Sequence, residues 1–216
     1  MQDVFSNILF GMFLCGIAVL AVSLFFYYQF LKKRAFLETA RKLKFRYYYR
    51  SYAIPRRFAF LGEQRRGRGR HALNILLGRH ADTETVLFDY CYSTGLGAEK
   101  KWHYGSFAVM HHGRNCPPLR VYPKSMLSEL GDIIGYEEVY VDHNALSEKF
   151  SVFAANDLFA HSIIAGPLAE YLLRHPELSV EIDPIWLAVG SQETLIPEDI
   201  PRRLNQLEKI RKALPF

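Results

Sequence analysis

Residues 8–28 read ILFGMFLCGIAVLAVSLFFYY, an uncharged run in which Ser23 is the single clearly polar interruption. As an α-helix rising about 1.5 Å per residue it is roughly 30 Å long, the thickness of a bilayer's hydrocarbon core. A helix apolar on every face must be wrapped by protein or by lipid. A chain of 216 residues holds little more than one ordinary domain to do the wrapping, so the run reads as a membrane span. A cleavable signal would want a basic leader, a shorter apolar stretch and a small-x-small site. Here the leader is MQDVFSN and the far end is FFYYQFLKKR. Leu14 also stands where a small residue precedes a lipidated cysteine, so Cys15 does not read as a lipoprotein site. The expected layout is a short extracytoplasmic leader at 1–7 and a retained transmembrane helix at 8–30.

The flanks set the orientation. Lys32, Lys33 and Arg34 follow the span at once, and Arg41, Lys42 and Lys44 lie within about 20 residues of it. The positive-inside bias therefore places the rest of the chain in the cytoplasm. Phe25, Phe26, Tyr27, Tyr28 and Phe30 supply the aromatic belt at that interface. Gly11, Cys15, Ala18 and Val22 share one helical face, which either faces lipid or pairs two spans into a weak homo-oligomer.

Charge sharpens the division. The formal net charge of +5 averages three unlike parts. Residues 1–31 carry only Asp3. Residues 32–79 hold 15 Lys and Arg against Glu38 and Glu63, and residues 80–216 hold 12 against 19 Asp and Glu. Residues 31–70 thus read as a basic juxtamembrane helix and neck ahead of an acidic domain at 71–216. Lys32, Lys33, Arg34, Arg41, Lys42 and Lys44, with Arg65, Arg66, Arg68 and Arg70 of the run EQRRGRGR, are the candidate membrane-surface residues. Each is attracted to anionic headgroups by about 1 kcal/mol while near the surface. The plainer alternative is that the first cluster sets topology and the rest is solvated loop. Arg-Gly runs beside tyrosines also bind nucleic acid, but one short run next to a span is better explained by the membrane, so no nucleic-acid partner is expected.

Beyond Arg70 the pattern is of strands. HALNILLGRH, TETVLFDYCYST and KKWHYGSFAVMHH are rich in β-branched, aromatic and aliphatic residues and are separated by turn material, as in an antiparallel meander. LRVYP adds a strand, a short helix follows at 125–130, and residues 138–141 and 150–154 read as further short strands. Asn156 or Asp157 caps a helix through LFAHSIIAGPLAEYLLRH that Gly166-Pro167 should break. LSVEI and IWLAVG form a hairpin, and a last helix runs from about Pro197 or Asp199 to Leu214. The fold class is α+β: an N-terminal transmembrane helix, then a mainly antiparallel sheet packed by two or three helices.

The pieces VLFDYCYSTG at 86–95, FSVFAAND at 150–157, and LAEYLLRHPELSVEI at 168–182 with the following IWLAVG resemble uncharacterised bacterial single-span membrane proteins with a cytoplasmic α+β domain. The resemblance runs over roughly residues 36–216. It implies the architecture and a place in a bacterial inner membrane, and supplies no activity.

Chemistry is sparse. Cys15, Cys91 and Cys116 are too few and too scattered for a disulfide framework or a C-x-x-C zinc site. His111, His112 and Cys116 in HHGRNC, with His103 upstream, mix metal-ligand types, but adjacent strand residues face opposite ways, so no metal and no cofactor is expected. G-x-S-x-G and Walker patterns are absent from the sequence. Asp89, between Phe88 and Tyr90, needs a partner if buried, with Arg79 and Arg120 as candidates. Asp89, His103 and His161 are the candidate binding residues. The leading expectation is a membrane-anchored, non-enzymatic interaction or sensing module whose acidic domain takes a basic protein partner. The alternative is a membrane-proximal enzyme with a pocket near Asp89, His103 and His161.

Overall fold

The computed structural model describes residues 2–61, 67–130, 136–141 and 144–214. Helix α1, Gln2–Lys42, runs without a break from the apolar stretch through the first basic cluster. Its Gly11–Lys42 part has a mean hydropathy of 2.0 in its most apolar window, and none of that window is buried. Among the described residues it is the one helix long and apolar enough to cross a membrane.

The chain leaves α1 through a tight corner. The Phe45 amide donates to the Ala40 carbonyl at 2.8 Å and the Lys44 amide to Arg41 at 3.2 Å, with Lys44 left-handed at φ 58°. These two bonds satisfy the last carbonyls of the helix and reverse the chain. Gly78 makes room for the corner, since a β-carbon there would stand 2.7 Å from the Phe45 ring. Strand β1, Arg46–Ser51, then runs back along the helix and pairs with β2, Arg68–His80. Residues 46–51, expected within the neck, are therefore an edge strand of the domain. The strand meant to begin at His71 begins at Arg68.

The one sheet has the order β1-β2-β3-β4-β8-β7-β5-β6, and every pairing is antiparallel. Strands β3 (Thr83–Thr94), β4 (Lys101–His111), β5 (Leu119–Pro123), β6 (Phe150–Ala154), β7 (Leu178–Ile182) and β8 (Trp186–Ser191) complete it. Residues 138–141, expected as a strand, contribute a single bridge from Glu138 to Phe153.

Alternation along the strands divides the core in two. Leu87, Ala108, Val121, Val180 and Val189 face the helical side. There they meet Phe36 and Ala40 of α1 and the helices α4 (Asn144–Lys149), α5 (Asp157–Ile164), α6 (Pro167–Arg174) and α7 (Ile200–Ala213). Asn156 caps α5 through the Phe159 amide at 2.9 Å, and Pro167 opens α6 after the expected break. Val86, Phe88, Tyr90, Phe107 and Val109 face the other way, under Ile54, Phe58 and Leu61 of the segment holding α2, Ile54–Arg57. At the β5 side, Tyr122 packs with Met126 of α3, Lys124–Leu130.

Candidate functional site

Asp89 sits in β3 on the helical face and is only 3% exposed. Neither Arg79 nor Arg120 is its partner. The Leu195 amide donates to Asp89 Oδ1 at 2.6 Å and the Asn74 side-chain amide to Oδ2 at 2.7 Å. Arg120 lies on the opposite face of the sheet, across from Glu181 and 3.5 Å from it. Arg79, at the far end of β2, donates to the Asp82 carbonyl.

These contacts continue outward from Asp89. Tyr47 of β1 donates its hydroxyl to Asn74 Oδ1 at 3.0 Å, and its ring stacks on Phe36 of α1 at 5.8 Å. Asn74 is left-handed, φ 48°, where β2 slips register between Leu73 and Leu76. Beside Asp89, Ser106 donates to the Glu193 carbonyl at 2.6 Å and accepts from buried Arg203 at 2.8 Å. The loop after β8 is thereby tied to the sheet centre at Glu193 and Leu195. Against its outer side, Tyr28, Lys32 and Ala35 of α1 line an open cavity of about 490 Å³ with residues 194–198. Asp89 thus joins the helix that carries the apolar stretch, the edge strand and this loop.

Burial raises the Asp89 carboxyl to about 6, against the lowering effect of its two hydrogen bonds and of the Lys32 and Arg203 charges. Burial likewise pushes the Tyr47 phenol up to about 12. A folded-state value above the unfolded one means that this group's stabilising contribution is complete below the unfolded value and lost as pH rises through about 6. Asp89→Asn should fold, because Asn74 can turn its amide over and donate to the Tyr47 hydroxyl instead. Moving wild type from about pH 7.5 to about pH 5 should add about 1 kcal/mol of stability relative to Asp89→Asn. Denaturant titrations of both chains at the two pH values check this, and parallel pH profiles would contradict it.

The three candidate binding residues are not brought together. His103 pairs with Tyr92 in the ladder, so it lies on the face opposite Asp89, stacked on the Tyr92 ring at 4.8 Å and bonded to Thr94 Oγ1 at 2.8 Å. His161 is exposed on α5. The cavities of about 630, 460 and 490 Å³ among the described residues are lined by none of the three.

Among the basic residues, Lys32, Lys33 and Arg34 sit on α1 next to the apolar stretch. Arg41 and Lys42 lie at its other end, about 14 Å further along. Lys44 lies in the corner after it. Arg68 and Arg70 open β2, while Arg65 and Arg66 fall outside the described residues.

A polar cleft of about 630 Å³ lies at the other end of the sheet, lined by Arg79, Thr83, His111, His112, Arg114 and Arg211, with Asp82 and Glu84. Arg211 donates to Thr83 Oγ1 at 2.9 Å, and Glu84 is engaged by Arg57 at 2.7 Å. Burial holds the His112 imidazole below its usual range; its Nε2 donates to the Asp183 carbonyl at 3.0 Å and its Nδ1 accepts from the Arg114 amide. In the sequence this place shows only as the motif HHGRNC. Arg79 and Arg211, from β2 and α7, carry no local signal of converging on it. Among the described residues no three His, Cys, Asp or Glu side chains cluster to hold a metal ion. The cleft offers guanidinium donors to an anionic group.

No protein-family model matches the chain, and no curated protein matches it. Among solved structures it is similar to the crystal structure of the mycobacterial trehalose monomycolate transport factor A, TtfA, at 12% identity and a TM-score of 0.61. The match covers 84% of this chain and 93% of that one, so the two share a fold.

Proposed function

We propose that the chain is a single-pass protein of a bacterial inner membrane, with its N-terminus outside and its α+β domain on the cytoplasmic side, serving as a non-enzymatic interaction or sensing module. The observation that carries this is the continuity of α1. One helix holds the apolar stretch and also places Phe36 and Ala40 in the domain core. The domain is therefore held at the membrane by a strut with a fixed seat, as suits a part that presents a surface to other molecules. The dispersal of Asp89, His103 and His161 supports a module over an enzyme. So does the shared fold with a protein titled a transport factor. The cleft of Arg79, Arg114 and Arg211, at the end of the sheet away from the span, is the surface offered to a cytoplasmic partner. Its guanidinium groups fit an acidic group on that partner, in place of the basic partner suggested by net charge alone.

The orientation is tested by fusing two reporters after Phe216. Green fluorescent protein should fluoresce and alkaline phosphatase should be inactive, as for a cytoplasmic end. The reverse pair would overturn the topology.

A further inference from the structure

The distance between the β3–β4 turn and the bilayer follows from where α1 touches the sheet. At the bottom of α1, Phe45 packs on Gly78, which pairs with Thr85 early in β3. Higher up, Lys32 lines a cavity with Leu195, whose amide is held by Asp89. Passing from Thr85 to Asp89 along β3 is thus passing up α1 toward the apolar stretch. The strand continues the same way from Asp89 to Thr94, about 17 Å at about 3.3 Å per residue. From Lys32 back to Tyr28, where the apolar stretch ends, is only about 6 Å along the helix. Even a strongly oblique crossing brings the turn to the level of Tyr28.

What stands at that level is amphipathic. Leu96 is 68% exposed at the turn and Trp102 is 44% exposed at the start of β4. Lys100 lies over the Trp102 ring at 4.3 Å, and Lys101 is exposed beside it. Arg68 pairs with Ser93, which pairs with Trp102, so exposed Arg68 and Arg70 of β2 flank the same end. Among the described residues, four cations and two large apolar side chains share this end with one exposed acid, Glu99. Tryptophan prefers the headgroup level of a bilayer, and cations within about 10 Å of anionic lipid feel its potential.

We propose that this end of the sheet docks on the anionic bilayer that α1 crosses, with Leu96 and Trp102 entering the headgroup layer and Arg68, Arg70, Lys100 and Lys101 against lipid phosphates. The inference rests on the spanning reading of α1 and adds a second, domain-borne contact to it. Arg41 and Lys42, at the far end of α1, then belong to the domain surface and not to the lipid contact.

Trp102 and Trp186 are the two tryptophans of the chain, and Trp186 pairs with His111 at the opposite end of the sheet. The full chain is reconstituted into nanodiscs of phosphatidylcholine and phosphatidylglycerol, with or without lipid brominated high on the acyl chain. Docking requires that bromolipid quench most Trp102 emission in wild type and in Trp186→Phe, and leave Trp102→Phe unquenched. Lys100→Gln with Lys101→Gln should weaken the quenching. Incorporation into discs with no Trp102 quenching would overturn the docking and leave the span standing. Emission that changes with the number of chains per disc, and not with bromination, would identify a contact between copies and overturn it equally. Failure to enter the discs would overturn both.

Discussion

Replacing Phe36 by alanine should cost the full chain about 3–5 kcal/mol of stability, the range for removing a fully buried aromatic side chain. Phe36 is completely buried and stacks on Tyr47, so its ring clamps α1 against the edge strand. Its loss also frees Tyr47, whose hydroxyl supports Asn74 and, through it, Asp89. Denaturant unfolding in micelles, followed by Trp186 fluorescence, measures the effect. A loss below about 1 kcal/mol would show that the juxtamembrane helix is not part of the core.

Glu181→Ala should be equally damaging for an electrostatic reason. Arg120 and Glu181 are directly opposed on β5 and β7, both buried, with 3.5 Å between Nε and Oε2. Arg120 also donates to the Phe60 carbonyl at 2.8 Å and lies over the Tyr136 ring at 4.8 Å, which fixes the segment at 54–61 over this face. Without Glu181 a guanidinium is left buried beside an apolar hole, a change that costs about 3–5 kcal/mol. Replacing both partners, Arg120→Met with Glu181→Leu, should recover most of the loss, because neither charge is then stranded. Thermal unfolding of the single and double variants separates the two cases. Equal loss in both would assign the effect to packing alone.

The parts of the fold that announce themselves locally were legible. Asn156 and the Gly166-Pro167 pair mark a capped helix and its break through backbone chemistry that needs no distant partner. The β-branched and aromatic residues of TETVLFDYCYST likewise announce a strand, and it is buried on both faces from Thr85 to Ser93. Strand β1 was not legible, because RYYYRS is a largely exposed edge whose only inward anchors are Tyr47 and the preceding Phe45. Its cations made it look like more of the neck. Asp89 was legible as a buried acid in a central strand. Its partners were not, since one is a backbone amide 106 residues away and the other an asparagine turned inward by a register shift. His103 was misplaced for a simpler reason: only the ladder register shows that it faces Tyr92 and not Asp89.

The continuity of α1 from its apolar stretch to the core is open to direct measurement. Spin labels at Phe25→Cys, on the exposed part of α1, and at Lys209→Cys, on the exposed side of α7, span the junction. Cys15 is replaced by serine, while Cys91 and Cys116 are buried. In lipid nanodiscs a rigid strut gives one narrow distance peak that Phe36→Ala broadens. A broad distribution in the unaltered chain would mean a flexible tether, and would contradict a domain seated on its own span.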